Sequence, residues 1–293
     1  MARALRNFLV AHFWFITDRC HEERFFLRPD PRANAIIAAA IAQAAAASGV
    51  GILALCVMGN HWHMLVRVGV DPTSVPVFMQ RAKANVARDL NRIHDRRGAF
   101  WGDRYHAIPV IDLASILERI AYILMNPVAA GLVSTIAEYP GLCSLEANTG
   151  VRPACGALDI PIELPPQWLD LSPAELARHR TALRDELRRR EDTYRAERRK
   201  ADLPRPKPRD CTRIDPFSRP PRPARRTMPA CFAVTAEARH AFHDQRRAFV
   251  AAYHDASRAF RDGRLDAPFP AGAFPPRLLR PPVVEDPPLA HVA

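Results

Sequence analysis

Apolar and polar positions change period several times along the first 150 residues. Residues 8 to 17 (Phe-Leu-Val-Ala-His-Phe-Trp-Phe-Ile-Thr) are rich in aromatic and β-branched types and predict a buried strand. Pro29 and Pro31 close the loop that follows, and the alanine-rich stretch 32–47 predicts a helix. Ser-Gly-Val-Gly at 48–51 ends that helix. Residues 51–57 and 62–68 predict two antiparallel strands joined by a tight turn at Met58-Gly59-Asn60. From residue 74 to about 94, Phe78, Ala82, Val86, Leu90 and Ile93 recur at helical spacing, with Arg81, Arg88 and Arg92 on another face. Residues 105–111 predict a further short strand, and Asp112 stands as the N-cap of a helix running to about Asn126.

The order strand, helix, strand, strand, helix, strand, helix predicts an α+β fold with helices packed against an antiparallel sheet. The pattern then loosens. Ser172-Pro173-Ala174-Glu175 is a capping box opening a highly charged helix to about residue 200, with a thin apolar stripe of Leu176, Leu183, Leu187 and Tyr194. Residues 203–230 alternate proline and arginine and predict an extended linker. A helix over 235–260 carries Phe242, Phe249, Tyr253 and Phe260 on one face, and the proline-rich last thirty or so residues predict no regular structure. The expected organisation is a domain over 1–147, a linker over 148–171, a charged helix over 172–200 and a basic Pro/Arg-rich extension over 201–293.

Composition sharpens the contrast between the halves. The chain has 42 Lys plus Arg against 31 Asp plus Glu, a net charge of +11. Residues 1–150 hold 15 basic and 12 acidic side chains (+3), which leaves 27 and 19 (+8) for the rest, and only 7 of the 28 prolines fall in the first half. An arginine-rich basic chain favours a polyanionic partner, because guanidinium groups bind phosphate bidentately and release counterions. A basic surface without a specific partner is the alternative. The six cysteines form no C-x-x-C pair, which argues against a zinc ribbon or a disulfide framework and for a reducing cytoplasm. Residues 35–58 are nearly all apolar, but their alanine content and the Ser-Gly-Val-Gly break argue against a membrane span. His12, Asp18 and Arg19 argue against a signal peptide.

Candidate chemistry concentrates at Asn60-His61-Trp62-His63. Side chains alternate along a strand, so His61, His63, Leu65 and Arg67 share one face and Trp62, Met64, Val66 and Val68 the other. Two imidazoles on one surface form half of a divalent metal site, with Arg67 further along to meet an anion. Two histidines hydrogen-bonded on a polar sheet face would give the same pattern. On the helix from Asp112, the residues Leu113, Ile116, Leu117, Ile120 and Leu124 make an apolar face, while Tyr122 falls nearly opposite its centre among Glu118, Arg119 and Asn126. A tyrosine there has either an exposed hydroxyl or a second contact surface. Asn126, one turn on, could add an amide oxygen to a metal site beside the phenol.

Three motifs in this order, G-N-H-W-H-M-L-V-R, F-W-G-D-R-Y and Y-I-L-M-N-P-V-A-A-G-L-V, resemble the REP-associated tyrosine transposases, a branch of the single-tyrosine HUH transposases. The resemblance spans roughly residues 8–147. It implies the HUH endonuclease fold, a ferredoxin-like antiparallel sheet with packed helices. It further implies that His61, His63 and Asn126 hold a divalent metal, Mg²⁺ or Mn²⁺, and that Tyr122 is the nucleophile. The partner it implies is single-stranded or hairpin DNA, nicked and rejoined through a 5′-phosphotyrosine, and it leaves monomer and homodimer both open. Trp101, Arg104 and Tyr105 match a W-x-x-R-aromatic motif with a structural or DNA-contacting role. Gly59 departs from the usual proline or serine, and Ala129 from the usual arginine.

Arg67, Arg104 and Arg119, with Arg81, Lys83, Arg88 and Arg92 of the basic helix, are the candidate DNA-binding residues. Arg81, Lys83, Arg88 and Arg92 would grip the phosphates of a hairpin stem. Two other readings stand beside the transposase: a non-catalytic hairpin-DNA-binding regulator that keeps the fold, and a zinc hydrolase for which His94 or His106 would supply the third ligand.

Overall fold

The computed structural model describes residues 5–157, 159–221 and 228–273. Four strands, β1 (Phe13–Arg19), β2 (Gly51–Val57), β3 (His61–Arg67) and β4 (His106–Val110), form one antiparallel sheet in the order β2-β3-β1-β4. Helices α1 (Pro31–Ser48) and α2 (Ser74–Ile93) connect β1 to β2 and β3 to β4. This βαββαβ order with its central β1 and β3 is the ferredoxin-like arrangement expected.

Strand β1 starts at Phe13, five residues later than the apolar run suggested. Residues 7–10 turn instead, with Asn7 Oδ1 accepting the Leu9 N–H at 2.9 Å, and Phe8 folds back onto Trp14 with ring centroids 4.6 Å apart. The two sheet faces carry different cores. Trp14, Ile16, Leu55, Trp62, Met64 and Val66 pack under α1 and α2. On the other face Phe15, Leu53, Ala54, Cys56, Leu65 and Ile108 meet α3 (Leu113–Ala129). A bulge at Leu53, between Ile52 and Ala54, lets two successive residues of β2 face α3.

Local sequence explains the helix bounds. Asp30 accepts from Ala33 N at 2.9 Å to cap α1, which ends at Gly49 in the left-handed region (φ 68°). Asp112 caps α3 by accepting from Ser115 N at 2.7 Å. Pro127 lies inside α3 and removes the backbone donor to Ile123 O, and Asn126 Nδ2 covers that carbonyl at 3.3 Å.

The residues after 135 close over α3. They form a short helix α4 (Leu145–Thr149), a chain segment that buries Trp168 on this side while its Ile160 joins the opposite core, and the long α5 (Pro173–Lys200) with its Ser172–Glu175 capping box. Helix α5 packs Leu183 and Leu187 into the α3-side core, and its Arg190 forks onto Glu118 of α3 at 2.8 and 3.2 Å. The span read as an extended linker contains a helical turn, α6 (Pro208–Arg213), whose Cys211 is buried. Residues 231–234 then lie along the free edge of β4: Phe232 N donates to Pro109 O, and Ile111 N donates to Phe232 O, both at 2.9 Å. Helix α7 (Ala236–Arg261) follows, capped by Thr235. The proline-rich end from residue 274, like 222–227 of the linker, lies outside the described residues. Among the described residues no helix is long and apolar enough to cross a membrane.

Candidate functional site

The turn at residues 58–60 feeds β3 so that His61 and His63 emerge on the α3 side of the sheet, ring centroids 4.8 Å apart. Each imidazole is fixed by its own partner. Asn60 Nδ2 donates to Glu23 O at 3.0 Å, which turns Asn60 Oδ1 toward His61 Nδ1 at 2.6 Å. The Thr17 hydroxyl donates to Trp62 O at 3.2 Å and therefore accepts from His63 Nδ1. Both acceptors require the Nδ1–H tautomer, which leaves the Nε2 lone pair of each ring for another ligand. Burial pushes His61 down to about 3 and His63 well below the ordinary histidine value, so both rings are neutral at physiological pH.

Tyr122 reaches the same place from α3. Its ring meets His63 edge-on at 5.9 Å and Phe15 at 5.7 Å between centroids, and it is still 39% exposed. The second contact surface that its polar neighbours called for is therefore the histidine end of its own chain's sheet. Leu113, by contrast, is 53% exposed and leaves the apolar face assigned to it, because α3 has only just begun there. Asn126 Nδ2 donates to Tyr122 O at 2.8 Å as well as to Ile123 O, so Oδ1 is the atom left for a ligand.

Four residues enter this site that periodicity did not single out. Thr17 and Arg19 lie directly opposite His63 and His61 in the β1–β3 register. Phe15 stacks on His63 at 5.5 Å, and Phe232 meets Phe15 edge-on at 5.5 Å. The Arg119 guanidinium sits between two rings, 5.0 Å from the Tyr122 centroid and 4.3 Å from that of Phe232. The alternation Phe13, Phe15, Thr17, Arg19 carried a signal for the first three; nothing local pointed to Phe232.

Residues 16–125 match the family model described as "Transposase IS200 like". Over this stretch, a little over a third of its length, the chain is similar to the IS200-like transposases. Among solved structures, it is similar to a REP-associated tyrosine transposase bound to a REP hairpin, at 16% identity over 56% of this chain and 96% of that one, with a TM-score of 0.42. It is also similar to a putative transposase from Deinococcus radiodurans R1, at 21% identity over 42% and 97% of the two chains, with a TM-score of 0.29. No curated protein matches.

The donors gathered here fit a divalent ion in kind: two neutral imidazoles with free Nε2 atoms and one amide oxygen on the facing helix. No cluster of three or more His, Cys, Asp or Glu able to hold a metal occurs among the described residues. His94 gives Nε2 to Phe26 O at 2.9 Å in the opposite core, which removes it as a zinc ligand. His106 lies opposite Thr17 on β4 but is exposed.

The candidate DNA-binding residues do not gather in one place. Arg67, at the far end of β3, is held bidentately by Glu163 at 2.6 and 2.8 Å, so a carboxylate occupies the position where an anion was expected. Lys83 points inward to the buried Asp18 at 2.7 Å, below Trp101, and is structural. Arg81, Arg88 and Arg92 are exposed on α2, which covers the sheet face opposite the histidines, and Arg88 pairs with Asp89. Arg104 is exposed on the loop before β4, while Trp101 packs on Trp62 at 4.4 Å. Only Arg119 adjoins Tyr122.

Proposed function

We propose that this domain nicks single-stranded DNA beside a hairpin and rejoins it through a 5′-phosphotyrosine on Tyr122, with His61, His63 and Asn126 holding a divalent cation, Mg²⁺ or Mn²⁺. The observation that carries the reading is the meeting of Tyr122 with His63 at 5.9 Å, beside two Nε2 atoms left free by their Nδ1 partners. A bound cation would offset charge building on the non-bridging oxygens of the scissile phosphate.

The chain's own residues supply the rest. The Tyr122 oxygen forms a bond to phosphorus as the bond to the 3′-oxygen breaks; the phenolic proton passes to solvent and the departing 3′-oxygen takes one up. The energy of the ester is retained in the phosphotyrosine, so attack by a 3′-hydroxyl reverses the step and joins a strand without an external energy source. Arg119 stands beside the tyrosine as the nearest fixed cation for a phosphate. Arg81, Arg88 and Arg92 lie on the far side of the sheet, where they can hold a stem but not the scissile phosphate; Arg67 and Lys83 are already engaged.

The experiment is incubation of purified protein with labelled hairpin oligonucleotides carrying single-stranded flanks, in Mn²⁺ or Mg²⁺, followed by a denaturing gel. A slowly migrating protein–DNA adduct that disappears with chelator is expected. Hairpin binding with no adduct under any divalent ion would favour a non-catalytic regulator.

A further inference from the structure

A second concavity opens along β4, away from Tyr122, with a volume of about 360 Å³. That is within the range of sites that enclose a small organic ligand. Its walls come from the N-terminal arm (Arg6), β1 (Trp14), β4 (His106) and helix α7 (Phe242, Arg246, Phe249). Apart from β4, these walls lie outside residues 16–125, so the cavity is an addition to the family domain.

Its chemistry is one-sided. Two guanidinium groups and an imidazole line it together with aromatic rings, and no Asp or Glu among the described residues does. Arg6 donates through Nη2 to Tyr105 O and lies 4.2 Å from the Tyr105 ring centroid, but its buried Nη1 has no hydrogen-bond partner among the described residues. Burial pulls Arg6 down to about 10 from the ordinary arginine value, as a cation without a full set of acceptors requires. Arg246 is exposed at the rim with no ion-pair partner among the described residues. An incompletely partnered guanidinium and an exposed one, beside the buried Phe242 and the half-buried Phe249, match an anion joined to a flat apolar group. The cavity is also one strand from the candidate site, because His106 pairs with Thr17, whose hydroxyl holds His63.

We propose that this cavity binds one nucleotide of the single strand flanking the hairpin, its base against Phe242 and Phe249 and its phosphate on Arg6 and Arg246. The proposal rests on the reading of this domain as a single-strand DNA enzyme. It makes α7 part of DNA recognition and assigns the extension a role beyond general basicity.

The test measures fluorescence anisotropy of the full chain with a blunt hairpin and with the same hairpin bearing a six-nucleotide single-stranded flank, for wild type, Phe249→Ala and Arg246→Glu. Wild type should prefer the flanked hairpin, and each variant should lose about tenfold for it while holding the blunt hairpin within about twofold. An abasic nucleotide at one flank position should reproduce the loss in wild type and cost Phe249→Ala nothing more. Because Arg246 is exposed, Arg246→Glu leaves the fold intact if Phe249→Ala does not. Equal affinity of wild type and Arg246→Glu for the flanked hairpin, or no position sensitive to base removal, overturns the proposal. Adduct formation by wild type is scored separately, so a chain that makes the adduct without flank preference refutes the cavity alone, and one with flank preference but no adduct refutes the reaction alone.

Discussion

Thr17 and His63 are partners twice over: they face each other in the β1–β3 register, and the Thr17 hydroxyl accepts the His63 Nδ1–H. Because that hydroxyl also donates to Trp62 O, the histidine is held in a single tautomer with Nε2 turned out to the site. Thr17→Val keeps the shape and removes the acceptor. Titration calorimetry with Mn²⁺ should show affinity lowered by about 10- to 100-fold, the usual effect of deleting such a supporting group. Unchanged affinity would remove Thr17 from the site.

Lys83 and Asp18 give a stability prediction. Asp18 is 2% exposed and, among the described residues, its cationic partner at ion-pair distance is Lys83. Lys83→Ala should cost about 3–5 kcal/mol in denaturant unfolding by leaving a buried carboxylate without its counter-charge, and Asp18→Asn should restore much of that in the double variant. A cost below about 1 kcal/mol would show the pair to be solvated.

The same carboxyl has a pH signature. Burial outweighs Lys83 and raises Asp18 above the ordinary carboxylate value. A group whose pKa is higher folded than unfolded binds its proton more tightly in the native state. Its stabilisation is therefore present below about pH 4, the unfolded value, and is lost as pH rises through the folded value. The stability difference between wild type and Asp18→Asn should shift against wild type across that interval and level off above it. A difference that moves the other way would mean that Lys83 dominates.

Phe232 reaches the site from 110 residues beyond Tyr122. It holds Arg119 against the tyrosine ring, and its neighbour Val234 donates to Asp112 Oδ2 at 2.6 Å, tying the segment to the N-cap of α3. Phe232→Ala should slow adduct formation several-fold through loss of an ordered Arg119, with hairpin affinity within about twofold. Rescue by Phe232→Tyr is expected, since a ring is retained. An adduct rate equal to wild type in Phe232→Ala would make the contact merely structural.

These contacts also separate what the chain's pattern carried from what it did not. Period-two alternation put His61 and His63 on one face of β3, and the Asp112 cap with its apolar stripe placed Tyr122 on a helix, because both signals are local. Lys83 looked like a DNA-facing neighbour of the basic stripe of α2, since its partner Asp18 is a buried acid on strand β1. Arg67 looked free for the same reason, with Glu163 almost a hundred residues away. Tyr122 and His63 meet only because the β1–β3 pairing and the packing of α3 on the sheet bring them together. Phe232 belongs to a span whose proline and arginine content suggested a linker, and the free edge of β4 that receives it is a tertiary feature.

The most direct measurement is peptide mapping by mass spectrometry of the adduct formed with a flanked hairpin in Mn²⁺. A single nucleotide-modified tyrosine, Tyr122, is expected, with no adduct from Tyr122→Phe even though its hairpin binding is retained. An adduct on another residue, or one that persists in Tyr122→Phe, would contradict this expectation.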